Sequence, residues 1–520
     1  MKNVPAAFVA VVVVLFGAFT GHHLLRSLND PNESLLATLH ANADPPHEES
    51  PPPPVRRVVM VLIDGLGADA FEPLVDSGEL GRLPDWRAYI DVGAPSLSRP
   101  VYHEILTGVP QAVSGIRTNA HTGRARADDL PERVRTAGGS VAWAMEGVTW
   151  FADLFAAPVD ARLLGAAVRE ERQVLELYDS GADLLVWHLI GTDVAGHAAG
   201  ADSDRYRSEA RDAVRLVRRV RDQTASGSEG ARTVWFIGAD HGHLPRGGHG
   251  GPESAVRRTM WVGYWPGERT ARTIVFPSYV PATRLAATFA NVLGVDAPRE
   301  TLGQALPTPD RSPPASSAID RRERAVRSAF ESAARASRIA MSIRALVTLA
   351  VFLALGVRYA RRERTHRVVT LPIAVVACAA LFYAVAGPGF TLSAIRTQIY
   401  FLVRASLSIA VGAAVAWQFA RPRGARARDT FVVGAVPAMI ALVSSWASLG
   451  RASADPYMSL LAPTTGVLAA SVVGGVLIGE LVRKMRKPPE RSAPSSPAKL
   501  VPKKISGRVE SSPSANVGGV

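Results

Sequence analysis

Val58-Val59-Met60-Val61-Leu62-Ile63-Asp64-Gly65-Leu66-Gly67 (residues 58–67) is an unbroken apolar run that ends in a carboxylate and two spaced glycines. A strand without polar alternation is buried on both faces, as in the parallel sheets of α/β proteins. The glycines allow a sharp turn at its carboxyl end, where ligand sites of open α/β sheets collect. Asp64 is therefore a candidate site residue. A cap for the following helix is the competing reading.

Two further short runs, Leu184–Leu189 and Thr233–Ile237, repeat the pattern, and helical stretches such as Ser203–Thr224 alternate with them. Residues 56–307 thus read as one α/β domain with a mainly parallel central sheet flanked by helices. It lies between two polar segments. Residues 27–55, with the proline run Pro51–Pro54, read as a stiff linker, and residues 308–338 as a Pro/Ser-rich linker (Thr308–Ser317) followed by a charged helix.

The rest of the 520-residue chain has a different character. Hydrophobic residues make up 47 % of the whole and the net charge is +13. From Arg321 onward there are 28 Lys or Arg against 8 Asp or Glu, a net of +20 that leaves −7 for residues 1–320. The basic excess falls between apolar runs, which argues for cytoplasmic loops and against nucleic-acid binding. Five such runs within residues 339–482 are each long enough to span a bilayer, and residues 483–520 form a basic, disordered tail. Residues 1–26, with Val4–Gly21 behind Lys2, read as a signal-anchor helix in preference to a cleaved signal peptide. The segments Arg358–Arg367, Arg421–Arg428 and Arg483–Lys487 are basic. By the positive-inside rule they make this a multi-pass membrane protein with the α/β domain on the extracytoplasmic side. The lone cysteine, Cys378, lies in an apolar run and rules out disulfide frameworks and thiol catalysis within one chain.

The chemistry is concentrated after the strands. Gly191-Thr192-Asp193-Val194-Ala195-Gly196-His197 follows the second run, with a carboxylate and an imidazole four residues apart, able to meet one ion on a helical turn. Asp240-His241-Gly242-His243 and Gly247-Gly248-His249-Gly250-Gly251 follow the third. Singly, each could be a surface pair or a loop cap. Together they bring oxygen and nitrogen ligands to several strand ends of one sheet, a donor set without sulfur that suits two catalytic divalent ions, Zn²⁺ first and Mn²⁺ second.

From Arg56 to Gly267 these segments resemble the metal-binding motifs of the alkaline phosphatase superfamily. The resemblance is nearest to the type I phosphodiesterases/nucleotide pyrophosphatases and to the enzymes that transfer phosphoethanolamine onto GPI anchors. Thr259–Gly267 is similar to the late strand of those families, and Ser98-Arg99-Pro100, Thr107-Gly108 and Gly115-Ile116 match the spacing around their nucleophile. The resemblance implies an alkaline-phosphatase-like domain. It also implies Ser98 as nucleophile, with Asp64, Ser98, Asp240 and His241 on one metal and Asp193, His197 and His249 on the other. The sequence departs from the pattern in places: Val101 stands where the phosphodiesterases have an Asn that contacts a phosphoryl oxygen, and Ser114 where a His is usual. Asn119 is a candidate to supply the missing substrate-binding donor, or a simple turn residue. Tyr102 occupies the place of the sulfatase Arg, which argues against a sulfatase. Ser96 is a rival nucleophile.

The expected function is a membrane-anchored two-metal phosphoryl-transfer enzyme, a phosphodiesterase or phosphoethanolamine-type transferase. Its substrate would be a phospholipid, lipid-linked or other phosphodiester compound. The alternative is a membrane transport or binding protein with an accessory ectodomain, although the apolar runs lack the buried acidic or Lys relays of a pump.

Overall fold

The computed structural model describes residues 33–43 and 56–332, apart from 120, 122, 148–149, 156–158, 268–272 and 313–315, with residues 335, 410 and 481 in isolation. The N-terminal apolar run 4–21, the basic tail 483–520 and, but for residue 410, the five apolar runs lie outside the described residues. Among the described residues, no helix is long and apolar enough to cross a membrane.

The described domain is α/β with one mixed, mainly parallel sheet of eight strands. The strands are β1 (Arg57–Ile63), β2 (Trp86–Asp91), β3 (Val141–Met145), β4 (Ala161–Leu164), β5 (Leu184–Leu189), β6 (Thr233–Gly238), β7 (Arg258–Tyr264) and β8 (Ile274–Pro281), in the order β4-β3-β5-β1-β6-β7-β2-β8. The pairs from β4 to β6 are parallel, β7 runs antiparallel to both β6 and β2, and β8 pairs parallel with β2.

All seven residues of β1 are buried. Val58, Met60 and Leu62 face helices Ser98–Thr107, Leu130–Thr136 and Arg284–Leu293 through Ile105, Val134 and Phe289. Val59, Val61 and Ile63 face helices Ala68–Asp76, Glu171–Tyr178 and Asp204–Thr224 through Phe71, Leu177 and Val214. The unbroken apolar run is thus explained by helices on both faces. The register aligns Ile63 with Leu189 and Leu62 with Gly238, so the chain leaves β5, β1 and β6 side by side at one edge of the domain.

The segment expected to be a stiff linker contains a helix, Glu33–Ala41, with Leu35, Leu36 and Leu39 buried against Val109, Val113, Leu302 and Val326. Burial of each leucine contributes about 1.5–3 kcal/mol. That is enough to hold nine residues that would not stay helical alone. Val326 belongs to helical residues 317–332, and the Arg322 guanidinium donates from Nε to the Asn42 carbonyl at 3.0 Å.

Candidate metal centre

Three strand ends build the site. Asp64 follows β1 but does not cap the next helix, whose N-cap is Gly67 with no side-chain bond. The turn requires Gly65, at φ +74°, because a Cβ there would sit 2.8 Å from the Asp193 Cα. Asp193 and His197 lie on helix Gly191–Ala199 directly after β5, and the helical turn brings His197 Nε2 to 3.5 Å from Asp193 Oδ1. Asp240 and His241 follow β6. Ser98 opens helix Ser98–Thr107, and its hydroxyl lies 3.1 Å from His241 Nε2.

The ligand atoms fall into two groups that share His241. In one, Asp64, Asp240 and His241 converge within 4.8 Å of one another; in the other, Asp193, His241, His243 and His249 do. His197 borders the second group, its Nε2 3.0 Å from that of His249. His243, to which the sequence motif assigns no role, belongs to the second group. It is buried, its Nε2 is 2.9 Å from Asp193 Oδ1, and Gly196 gives it room, since a Cβ there would lie 2.3 Å from its Cδ2.

Hydrogen bonding shows that the residues fit a cation. A carbonyl can only accept, so the Gly242 carbonyl, 3.2 Å from His241 Nδ1, places the ring proton on Nδ1 and the lone pair on Nε2. That lone pair faces Asp64 Oδ1 at 3.4 Å and Asp240 Oδ2 at 3.3 Å, two buried oxygens with no hydrogen-bond partner. Three acceptors facing one another in a buried space repel unless a positive charge lies among them. Ligand atoms arranged tetrahedrally at zinc distances are about 3.3–3.6 Å apart, which is the separation seen. His249 repeats the pattern: Nδ1 donates to the Ser96 carbonyl at 2.8 Å, and Nε2 faces Asp193 Oδ1 at 3.6 Å.

The protonation states agree. Burial lowers His241 and His243 to about 4 and pushes His249 well below its usual range, so all three imidazoles are neutral at neutral pH, as metal ligands must be. Burial and the charge of Asp64 raise Asp193 to about 6 and Asp240 well above the usual carboxylate range, a crowding of acids that a bound cation would relieve. Burial works against Asp64 too. There the hydrogen bond from His188 and the neighbouring imidazole of His241 outweigh it and bring the group down to about 2.

Asn119 accepts from the Arg99 backbone N–H at 3.0 Å through Oδ1, beside the first turn of the Ser98 helix. That contact places it next to Ser98 and gives it a definite role in the turn.

No family model matches the chain, and no curated protein matches it. Solved structures do. One is a protein of the alkaline phosphatase superfamily from Vibrio parahaemolyticus, 13 % identical, with 54 % of this chain and 80 % of that one covered at a TM-score of 0.38. Another is murine ectonucleotide pyrophosphatase/phosphodiesterase 5, 12 % identical, with 46 % and 96 % covered at 0.39. A third is a 2-O GAG sulfatase, 14 % identical, with 48 % and 73 % covered at 0.37. What the site of this chain can do follows from its own side chains.

Proposed function

We propose that the protein is a two-metal phosphoryl-transfer enzyme that uses Ser98 as nucleophile on a phosphodiester presented at a membrane. The observation that carries this reading is the Ser98 hydroxyl, 3.1 Å from His241 Nε2, at the ligand that the two metal-binding groups share. Asp64, Ser98, Asp240 and His241 would hold one divalent ion; Asp193, His197 and His249, joined by His243, would hold the other. Such ions neutralise charge on the phosphoryl oxygens and make both the serine hydroxyl and the leaving oxygen more acidic.

The side chains then have defined tasks. Ser98 Oγ attacks phosphorus, its proton passes to solvent, and the bond from phosphorus to the leaving oxygen breaks. The product of this half-reaction is a phosphorylated Ser98 that keeps the other substituent of the diester. Attack by water gives a hydrolase; attack by an alcohol gives a transferase. Asn119 keeps an amide N–H₂ to offer a phosphoryl oxygen while its Oδ1 accepts from Arg99. The apolar runs and basic loops after the domain support a lipid or lipid-linked substrate and an extracytoplasmic catalytic domain.

The test is mass spectrometry of the full chain trapped during turnover of a phosphodiester with divalent metal present. The expected result is an adduct on the peptide carrying Ser98, whose mass gives the transferred group. Turnover with no serine adduct at any time would overturn the covalent route.

A further inference from the structure

Asp64 is held on one side only. The Tyr102 hydroxyl donates to its Oδ2, and the His188 ring nitrogen Nε2 lies 3.0 Å from the same oxygen and 2.9 Å from the Tyr102 hydroxyl. Oδ1 has no hydrogen-bond partner and faces His241. All three side chains are buried.

The two donors are themselves fixed. Tyr102 lies one helical turn after Ser98, on the same helix face. Its ring stacks on Phe151 with centroids 4.7 Å apart and meets the His188 ring edge-on at 5.5 Å. His188 sits within β5, paired in register with Leu62 and Met145. An imidazole in an otherwise apolar buried strand needs a partner, and its partners are Asp64 and Tyr102. Asp240 has the same one-sided form: its Oδ1 accepts from the Gly65 N–H at 3.0 Å and its Oδ2 is free.

We propose that Tyr102 and His188 form a latch that makes Asp64 a one-oxygen ligand and so sets which divalent ion this half of the centre accepts. The proposal rests on reading the site as a two-metal centre. Zinc is satisfied by four ligands at short distance, whereas oxygen-seeking ions take more ligands and use carboxylates through both oxygens. A carboxylate whose Oδ2 is occupied by two fixed donors cannot turn to offer it. The latch therefore favours zinc, and its hydroxyl arm lies on the helix that carries the nucleophile. Tyr102 and His188 are positioning residues: they act on the ion through Asp64.

The experiment titrates the metal-stripped full chain with Zn²⁺ and with Mn²⁺, reading occupancy and affinity at each site by native mass spectrometry and competition with a chelator. The variants are Tyr102→Phe, His188→Gln and, as a control away from the site, Tyr178→Phe, whose hydroxyl lies 3.0 Å from Thr233 Oγ1. Tyr102→Phe and His188→Gln are each expected to weaken zinc at one site about 10–100-fold, with a smaller loss for Mn²⁺. The second site and the Tyr178→Phe control should bind as wild type does. Wild-type zinc affinity and preference in both latch variants would overturn the latch, as would an equal loss in Tyr178→Phe. A wild-type chain that binds neither ion would overturn the metal-centre reading itself, and the latch with it.

Discussion

Ser96 holds His249 directly and grips the turn that carries it. The serine carbonyl accepts the His249 Nδ1–H at 2.8 Å, and the serine hydroxyl accepts from the N–H of the next residue, Gly250, at 3.0 Å while donating to the Gly251 carbonyl at 3.1 Å. The hydroxyl's one donor and one of its two acceptor lone pairs are taken up in seating the glycine-rich turn. Ser96 therefore orients a candidate ligand and is poorly placed to attack phosphorus.

The two serines should then separate on mutation. Ser98→Ala is expected to keep the fold and lose about 10³-fold or more of its turnover of an artificial phosphodiester, because the covalent route is closed. Ser96→Ala should lose about 1–2 kcal/mol of stability and still carry the adduct on Ser98. An active Ser98→Ala beside a folded, metal-loaded but dead Ser96→Ala would reverse the assignment.

Metal content gives an independent check. His249→Ala and Asp193→Ala should each bring the chain from two bound divalent ions to one, as counted by native mass spectrometry. His243→Ala should weaken the same site about 10–100-fold, since its Nε2 lies 2.9 Å from Asp193 Oδ1. An unchanged pair of ions in all three variants would refute the ligand set.

Glu104, buried on the Ser98 helix, makes stability depend on pH. Burial, with Asp91 nearby, lifts it from 4.5 to about 8. Between those values the folded protein keeps a proton that the unfolded chain has released, so this contribution is complete below pH 4.5 and is lost as the pH rises through 8. The slope is at most about 1.4 kcal/mol per pH unit. Glu104→Gln keeps the shape without the titrating proton and should flatten the curve between pH 4.5 and about 8. Denaturant unfolding of the domain, followed by tryptophan fluorescence at several pH values, reads the difference; identical curves for the two proteins would remove Glu104 from the account.

The expected topology is tested by reporters. One fused after Phe419 should be cytoplasmic, and one placed within Thr308–Ser317 should be external, because basic segments between apolar runs are expected to stay inside. Finding both on one side would overturn the orientation.

The parts of the fold visible in the sequence are those with a local period. The run Leu184–Leu189 is the strand expected, Thr233–Ile237 falls one residue short of its strand, and the helix expected from Ser203 starts at Asp204, with Ser203 as its cap. The latch was hidden because it has no period. His188 lies inside an apolar run, and its partners are 124 and 86 residues away in the chain. The only trace was one imidazole in a fully buried strand. His243 was visible in the Asp240–His243 segment, but the resemblance assigns that position no ligand, and the room for its ring beside Asp193 comes from the missing Cβ of Gly196 on a helix about 50 residues earlier in the chain. The helix Glu33–Ala41 was missed because its leucines find their burial against residues 302 and 326, far along the chain.

That helix has a mechanical consequence. The segments on either side of the α/β domain meet in one apolar seam, where Leu35, Leu36 and Leu39 pack near Val326 and Arg322 holds the Asn42 carbonyl. The domain is thus a large loop gathered at its neck. A pull applied to either flanking segment is resisted first by shear along this seam, before any force reaches β1 or the loop that carries Asp64. The seam thus places a mechanical clamp between the flanking segments and the candidate metal centre.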